Sequence, residues 1–257
     1  MGFLTSSIQV GARHARCAAQ WQPHLLRTKA AILNAAALAQ DRRMAVVFGA
    51  GLLHDIPLRE LSSMFEEVVL VDIVHTLRTR LLAMIFSNVR LCALDVTGVA
   101  TKLSKIVRGC EEALPRSEPR AFLDEKRLDF SVSVNLLSQL AWVPGRFLEG
   151  VRPEQDVAHM QRHLLEAHLH YLRHLPGHTA LITDVRWRSE LPPGAPVVVE
   201  PVVAQGWDVL QGVTLPETAA VWDWNIAPAP ERSLHLDYIA TVHAYPDWKH
   251  SCALTSA

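Results

Sequence analysis

The most constraining feature of this chain is a series of short apolar runs separated by stretches of helical length. Residues 44–48, 68–71, 89–94, 128–134 and 179–185 are the runs. The first of them, residues 44–48, is continuously apolar and suits a parallel strand covered on both faces. Between them, residues 56–65 carry Leu58, Leu61 and Phe65 at helical spacing, and residues 75–86 continue the alternation. Asp55 is placed to cap the first of these helices, with Pro57 in its first turn. Residues 101–126, with Pro115 and Pro119, read as a helix then a loop, and residues 154–175 as a long helix. Such β-α repetition predicts an open, doubly wound sheet with helices on both faces.

The chain ends differently. Residues 189–216 are rich in proline and glycine, a long excursion of the kind used as lids or substrate-shaping loops. Residues 219–226 and 233–244 read as two strands with a connection too short for a helix, so they are antiparallel. The expected architecture is α/β: a mostly parallel seven-stranded sheet closed by an antiparallel C-terminal strand pair. Residues 1–43 form an N-terminal helical extension, and residues 44–257 the Rossmann-like domain. Residues 30–39 (AAILNAAALA) favour helix strongly, so a helical segment packed on the core is preferred over a targeting sequence. A transit peptide (no acid precedes Asp41) and myristoylation at Gly2 and Ser6 are the alternatives.

Charge and cysteine content narrow the partners. With 25 basic and 26 acidic residues, the chain lacks the surplus of a nucleic-acid binder. Cys17, Cys92, Cys110 and Cys252 are too scattered for a zinc site or disulfide framework, which predicts reduced thiols and a cytoplasmic location. No run reaches membrane-spanning length.

In open α/β sheets, ligands bind beyond the carboxyl ends of the strands, where strand order reverses. Gly49, Ala50 and Gly51 follow the first strand, where small residues let a ligand approach the backbone. Asp72 closes the second strand and can accept ribose hydroxyls. Asp95 follows the third and can address an adenine ring. Either acid can instead simply cap the helix after it.

The segments VVFGAG, VVLVD, VRLCALDVTG, LDFSVSVNLLSQL and TALITDVRW resemble successive motifs of class I S-adenosylmethionine-dependent methyltransferases. The terminal strand pair is similar to the reversed strands that mark that fold and are absent from ordinary dinucleotide-binding domains. The resemblance implies S-adenosylmethionine as cofactor. Gly49, Ala50 and Gly51 would face its methionine part, Asp72 and Ile73 its ribose, Asp95 and Val96 its adenine. Asn135 and Leu136 would line the floor near the methyl group. The family's acid two positions before the first glycine is Val47 here, and its third glycine is Leu53.

The reaction expected is methyl transfer to a small-molecule oxygen or nitrogen acceptor, with no metal. Alternatives are a non-catalytic binding protein of the same fold and a nicotinamide-dependent oxidoreductase. His54 and Asn135 are candidate bases, though alignment alone supplies much of the rate. His159, His163, His170 and His174 share one helix stripe that reads as solvated rather than metal-binding. His168 lies on the apolar face as a core histidine. Trp207, Trp222, Trp224 and Trp248 read as core more than as an acceptor pocket.

Overall fold

The computed structural model describes residues 2–109, 113–193, 206–218 and 220–251. Cys110, Cys252, Ala219 and residues 194–205 of the long excursion lie outside the described residues. Two helices come first, α1 (Phe3–Arg16) and α2 (Ala18–Ala37), then β1 (Met44–Phe48) and α3 (Leu58–Met64). Next are β2 (Glu67–Asp72), α4 (Leu77–Ala83), β3 (Val89–Ala93) and α5 (Ala100–Val107). After β4 (Leu128–Val134) come α6 (Leu137–Leu148), α7 (Glu154–His174) and β5 (His178–Glu190). The chain closes with β6 (Gly206–Asp208), β7 (Ala220–Ala227) and β8 (Asp237–Tyr245).

The sheet order is β3-β2-β1-β4-β5-β8-β7, with β6 paired to β5 off this path. Strands β1 to β5 run parallel, whereas β8 is antiparallel to both β5 and β7. The sheet therefore has eight strands rather than seven. The extra strand is β6, three residues of the excursion that pair antiparallel with Arg186–Arg188 at the far end of β5. The run 179–185 gives no hint of this, because β5 continues five residues beyond it through a mostly polar segment that pairing holds extended.

Alternation along β1 and β2 divides the core. Ala45, Val47, Val68 and Leu70 face a layer that includes Ile32 and Ala35 of α2 and Leu61 of α3. Met44, Val46, Phe48, Val69 and Val71 face Leu137 of α6 and Leu165, Leu169 and Leu172 of α7. Every residue of β1 and β4 is buried, as central parallel strands require. Helix α5 packs on α6 and α7 through Leu103, Ile106, Leu148 and Leu164.

Two local readings change. Helix α3 starts after Pro57 with no side-chain cap, and the Asp55 carboxylate instead accepts a hydrogen bond from Asn135 at 2.8 Å. Helix α4 is shorter than residues 75–86, because Thr76 caps it by accepting from the Thr79 amide. No helix among the described residues is long and apolar enough to cross a membrane.

Candidate functional site

Strand order reverses between β1 and β4, and a cleft opens beyond their carboxyl ends. It holds about 1040 Å³ between its walls, including its open mouth. Gly49, Gly51, Asp72, Ile73, Asp95, Val96, Asn135 and Leu136 all line it. Ala50 is buried beside them but does not line the cleft; it packs into the core.

Backbone conformation shapes the turn after β1. The Gly49 and Ala50 amides both donate to the Val71 carbonyl, at 3.0 and 3.1 Å, which pins the turn against β2. Gly49 has φ +80°, and a Cβ there would stand 2.5 Å from the Val134 carbonyl oxygen. No side chain fits where β1 and β4 diverge so closely. Leu53, at the position of the family's third glycine, retains the left-handed conformation with φ 62°. Holding a leucine there costs about 1–3 kcal/mol, offset by burying its side chain in the core. Leu53 therefore does not plug the cleft; Leu52 forms part of its wall.

The two acids differ. Asp72 accepts from the Gly51 amide at 2.8 Å on Oδ2 and the Val74 amide at 3.2 Å on Oδ1. A carboxylate offers about four acceptor positions, so two remain for hydroxyls in the cleft. Asp72 caps no helix. Asp95 does: Oδ2 accepts from the Ala100 amide at the start of α5, and Oδ1 from the Thr97 amide and hydroxyl. The capping alternative thus describes Asp95, which keeps one acceptor position and a place in the cleft wall.

Sequence reasoning missed the roof. Phe3, Ser6, Ser7 and Val10 of α1 line the cleft at one-face helical spacing, although no residue of α1 is fully buried. Helix α1 is tied down by Arg16, whose guanidinium donates to both Glu231 oxygens at 2.6 and 2.8 Å. His14 of α1 stacks on His54 with ring centres 3.6 Å apart, and burial lowers the His54 pKa to about 4. Both rings are then neutral near pH 7. The other wall is α6, with Gln139, Leu140, Val143 and Pro144.

A polar chain lies behind the floor. Asn135 has φ 47° and lines the cleft; its amide nitrogen lies 2.8 Å from Asp55 and 3.4 Å from His24 Nε2. His24 of α2 is 1% exposed, and its Nδ1 accepts from the Trp222 indole at 3.1 Å. Trp224 stacks on the same imidazole at 4.0 Å. Burial drives the His24 pKa down to about 3 and raises that of Asp55. The one available signal was spacing: Trp21, His24, Thr28, Ile32 and Ala35 share a helical stripe, with two polar residues in the apolar face.

The other histidines and tryptophans lie elsewhere. His168 is buried, 3.0 Å from the Ser133 hydroxyl, with its pKa lowered to about 3 by burial. His159, His170 and His174 are exposed, whereas half-buried His163 accepts from the Ser117 amide at 3.2 Å. The described residues contain no cluster of three or more metal-ligating side chains. Trp248 is core, bonded to the Leu169 carbonyl, and Trp207 meets Tyr238 and Arg232.

No family model matches the chain, and no curated protein matches it in sequence. A structure search returns the DhpI–SAM–HEP complex at 12% identity, covering 94% of this chain and 98% of that one, with TM-score 0.36. The DhpI–SAH complex follows at 12% identity, covering 96% and 98%, with TM-score 0.35. A third is the Burkholderia thailandensis 1,6-didemethyltoxoflavin-N1-methyltransferase bound to 1,6-didemethyltoxoflavin and S-adenosylhomocysteine. It is 14% identical, covering 93% and 90%, with TM-score 0.30. Such scores assign no residue a role, and the fold is read instead from the strand order. With antiparallel β8 inserted between β5 and β7, and a cleft over the β1/β4 switch point, the chain has the class I S-adenosylmethionine-dependent methyltransferase fold.

Proposed function

We propose that this chain is an S-adenosylmethionine-dependent methyltransferase acting on a small-molecule oxygen or nitrogen acceptor. The carrying observation is the convergence of Gly49, Gly51, Asp72, Asp95 and Asn135, from four strand ends, on one cleft. The residues fit the cofactor. Asp72 keeps acceptor positions for the two ribose hydroxyls, and the wall after β3, with Asp95 and Val96, accommodates an adenine ring. Gly49 and Gly51 leave room for the methionine part, and α1 roofs the cleft against water.

The cofactor supplies an electrophilic methyl group. What the protein must add is alignment and exclusion of water, worth several powers of ten in rate. His54 and His24, which lie behind the cleft walls, are both neutral near pH 7. Free thiols at Cys17 and Cys92 suit a reducing compartment, the cytoplasm.

Thermal unfolding tests this reading. S-adenosylhomocysteine or S-adenosylmethionine at ~100 times its dissociation constant adds about 2.7 kcal/mol of stability and raises the midpoint. NADH leaves it unmoved. A shift with NADH alone reassigns the cleft to a nicotinamide cofactor, and no shift with any ligand turns the reading toward a non-catalytic fold.

A further inference from the structure

Helix α4 carries its apolar residues on the outside. Thr79, Leu82 and Ala83 face the protein, whereas Leu77, Leu81, Met84 and Ile85, of α4 and its closing turn, are between 56% and 80% exposed. A helix lying on a sheet ordinarily turns polar residues outward. Positions 77, 81, 84 and 85 instead form one apolar stripe at helical spacing, with Arg78 and Arg80 along its two edges. No acid among the described residues forms an ion pair with either arginine. Arg80 Nε donates to the His75 carbonyl at 3.2 Å.

Helix α1 extends this surface. Thr79 of α4 donates to the Gly51 carbonyl at 2.9 Å, and a Cβ on Gly11 of α1 would stand 3.1 Å from Leu52, so both helices sit on the same turn. Leu4 and Ile8 share the stripe of Gly11 and are 52% and 60% exposed. The adjoining stripe of α1, with Phe3, Ser7 and Val10, roofs the cleft, so the apolar surface borders the cleft. Residues 1–40 contain no acid. Lys29 of α2 and Arg78 both lower the pKa of His14 on α1, which places a third cation beside the patch. Arg13 and Arg16 lie on the other flank of α1, against Glu231.

Exposed leucine, isoleucine and methionine side chains edged by cations call for a partner that is apolar within and negative at its rim. A second copy of this chain does not meet that description. A two-fold contact would set the patch on itself and bring Arg78, Arg80 and Lys29 against their own kind, which is repulsive. A bilayer with anionic headgroups meets it on both counts, since its acyl boundary receives apolar side chains and its surface attracts cations. We propose that α1 and α4 form a docking face for a membrane containing anionic lipid. Leu4, Ile8, Leu77, Leu81, Met84 and Ile85 enter the acyl boundary, and Arg78 and Arg80 meet the headgroups. The attachment is peripheral, because no helix among the described residues is long and apolar enough to span the bilayer.

The test is flotation of the full chain with vesicles of phosphatidylcholine alone and of an equimolar mixture with phosphatidylglycerol. The wild-type protein is expected to bind the mixed vesicles, and phosphatidylcholine alone at least about tenfold more weakly. Leu81→Asp combined with Met84→Asp changes two exposed positions and is expected to keep the wild-type unfolding midpoint. The same pair is expected to lower binding to the mixed vesicles at least about tenfold. Arg78→Gln is expected to lower it about fivefold, the share of one cation near an anionic surface. No binding by the wild-type protein, equal binding to both vesicles, or wild-type binding by either variant overturns the proposal. Sedimentation of the wild-type protein alone addresses the other occupant. A dimer that the double substitution dissolves would assign the patch to a second copy and overturn the membrane assignment.

Discussion

The two sides of the cleft are built by different means. The turn side, from Gly49 to Asp95, is made of backbone conformation and of acids at strand ends, with hydrogen-bond partners mostly within one strand-turn-helix unit. The roof and the layer behind the floor are made of side-chain contacts across nearly the whole chain: Asn135 to His24 spans 111 residues, His24 to Trp222 198, and Arg16 to Glu231 215. The first kind of site follows from the strand-turn-helix grammar and tolerates little change. The second depends on docking α2 onto β7 and tying α1 to the loop that follows it, and is adjustable.

That contrast breaks most readily at Gly49. In Gly49→Val the new side chain collides with the Val134 carbonyl while adopting a positive φ. The expected loss is on the order of 3–5 kcal/mol of stability in urea unfolding. A loss no greater than that of an exposed roof residue would erase the distinction between the two sides.

Acid comes next. His24 behind the floor and His168 in the core both have folded pKa values of about 3, against 6.5 unfolded. Below pH 6.5 the unfolded chain binds protons that the folded chain refuses, so stability falls as pH drops from 6.5 toward 3. Each histidine contributes about 2 kcal/mol of loss between pH 6.5 and 5. Denaturant titrations over that range should show a slope that His168→Gln lowers by about a third, because His54 is also held neutral. An unaltered slope would mean that buried histidines do not set the acid sensitivity.

Asp72→Ala sharpens the comparison from the ligand side. Removing the carboxylate should weaken S-adenosylhomocysteine binding by about 1–3 kcal/mol, read as a smaller ligand-induced rise in the unfolding midpoint. An equal rise in both proteins would remove Asp72 from the site. The smallest effect belongs to Glu231→Ala. The ion pair with Arg16 is solvent-exposed on the arginine side, so the unfolding midpoint should stay where it is. Limited proteolysis within α1 should nevertheless accelerate, because the roof loses its bidentate tie. Unchanged cleavage would show that the His14–His54 stack alone holds α1.

The legible parts of the molecule follow this division. Strands β1 and β4 begin and end where their apolar runs do, and the antiparallel ending follows from a connection too short for a helix. The cleft residues Gly49, Gly51, Asp72, Asp95 and Asn135 were visible because spacing after each strand is a local property. Asp55 was misread as a cap because its partner, Asn135, lies 80 residues away, and burial against that amide outweighs a helix end. Strand β6 escaped notice because three residues carry no periodicity. The roofing face of α1 escaped because Phe3, Ser6, Ser7 and Val10 are an undistinguished helix face until the cleft beneath them is known.

The central claim, that the switch-point cleft holds an adenosyl cofactor, is tested most directly by calorimetric titration of S-adenosylhomocysteine into the wild-type protein. Saturable heat with one site per chain is expected. No binding heat up to about 1 mM ligand, a concentration that still detects an affinity of about 4 kcal/mol, in protein that unfolds cooperatively would contradict it.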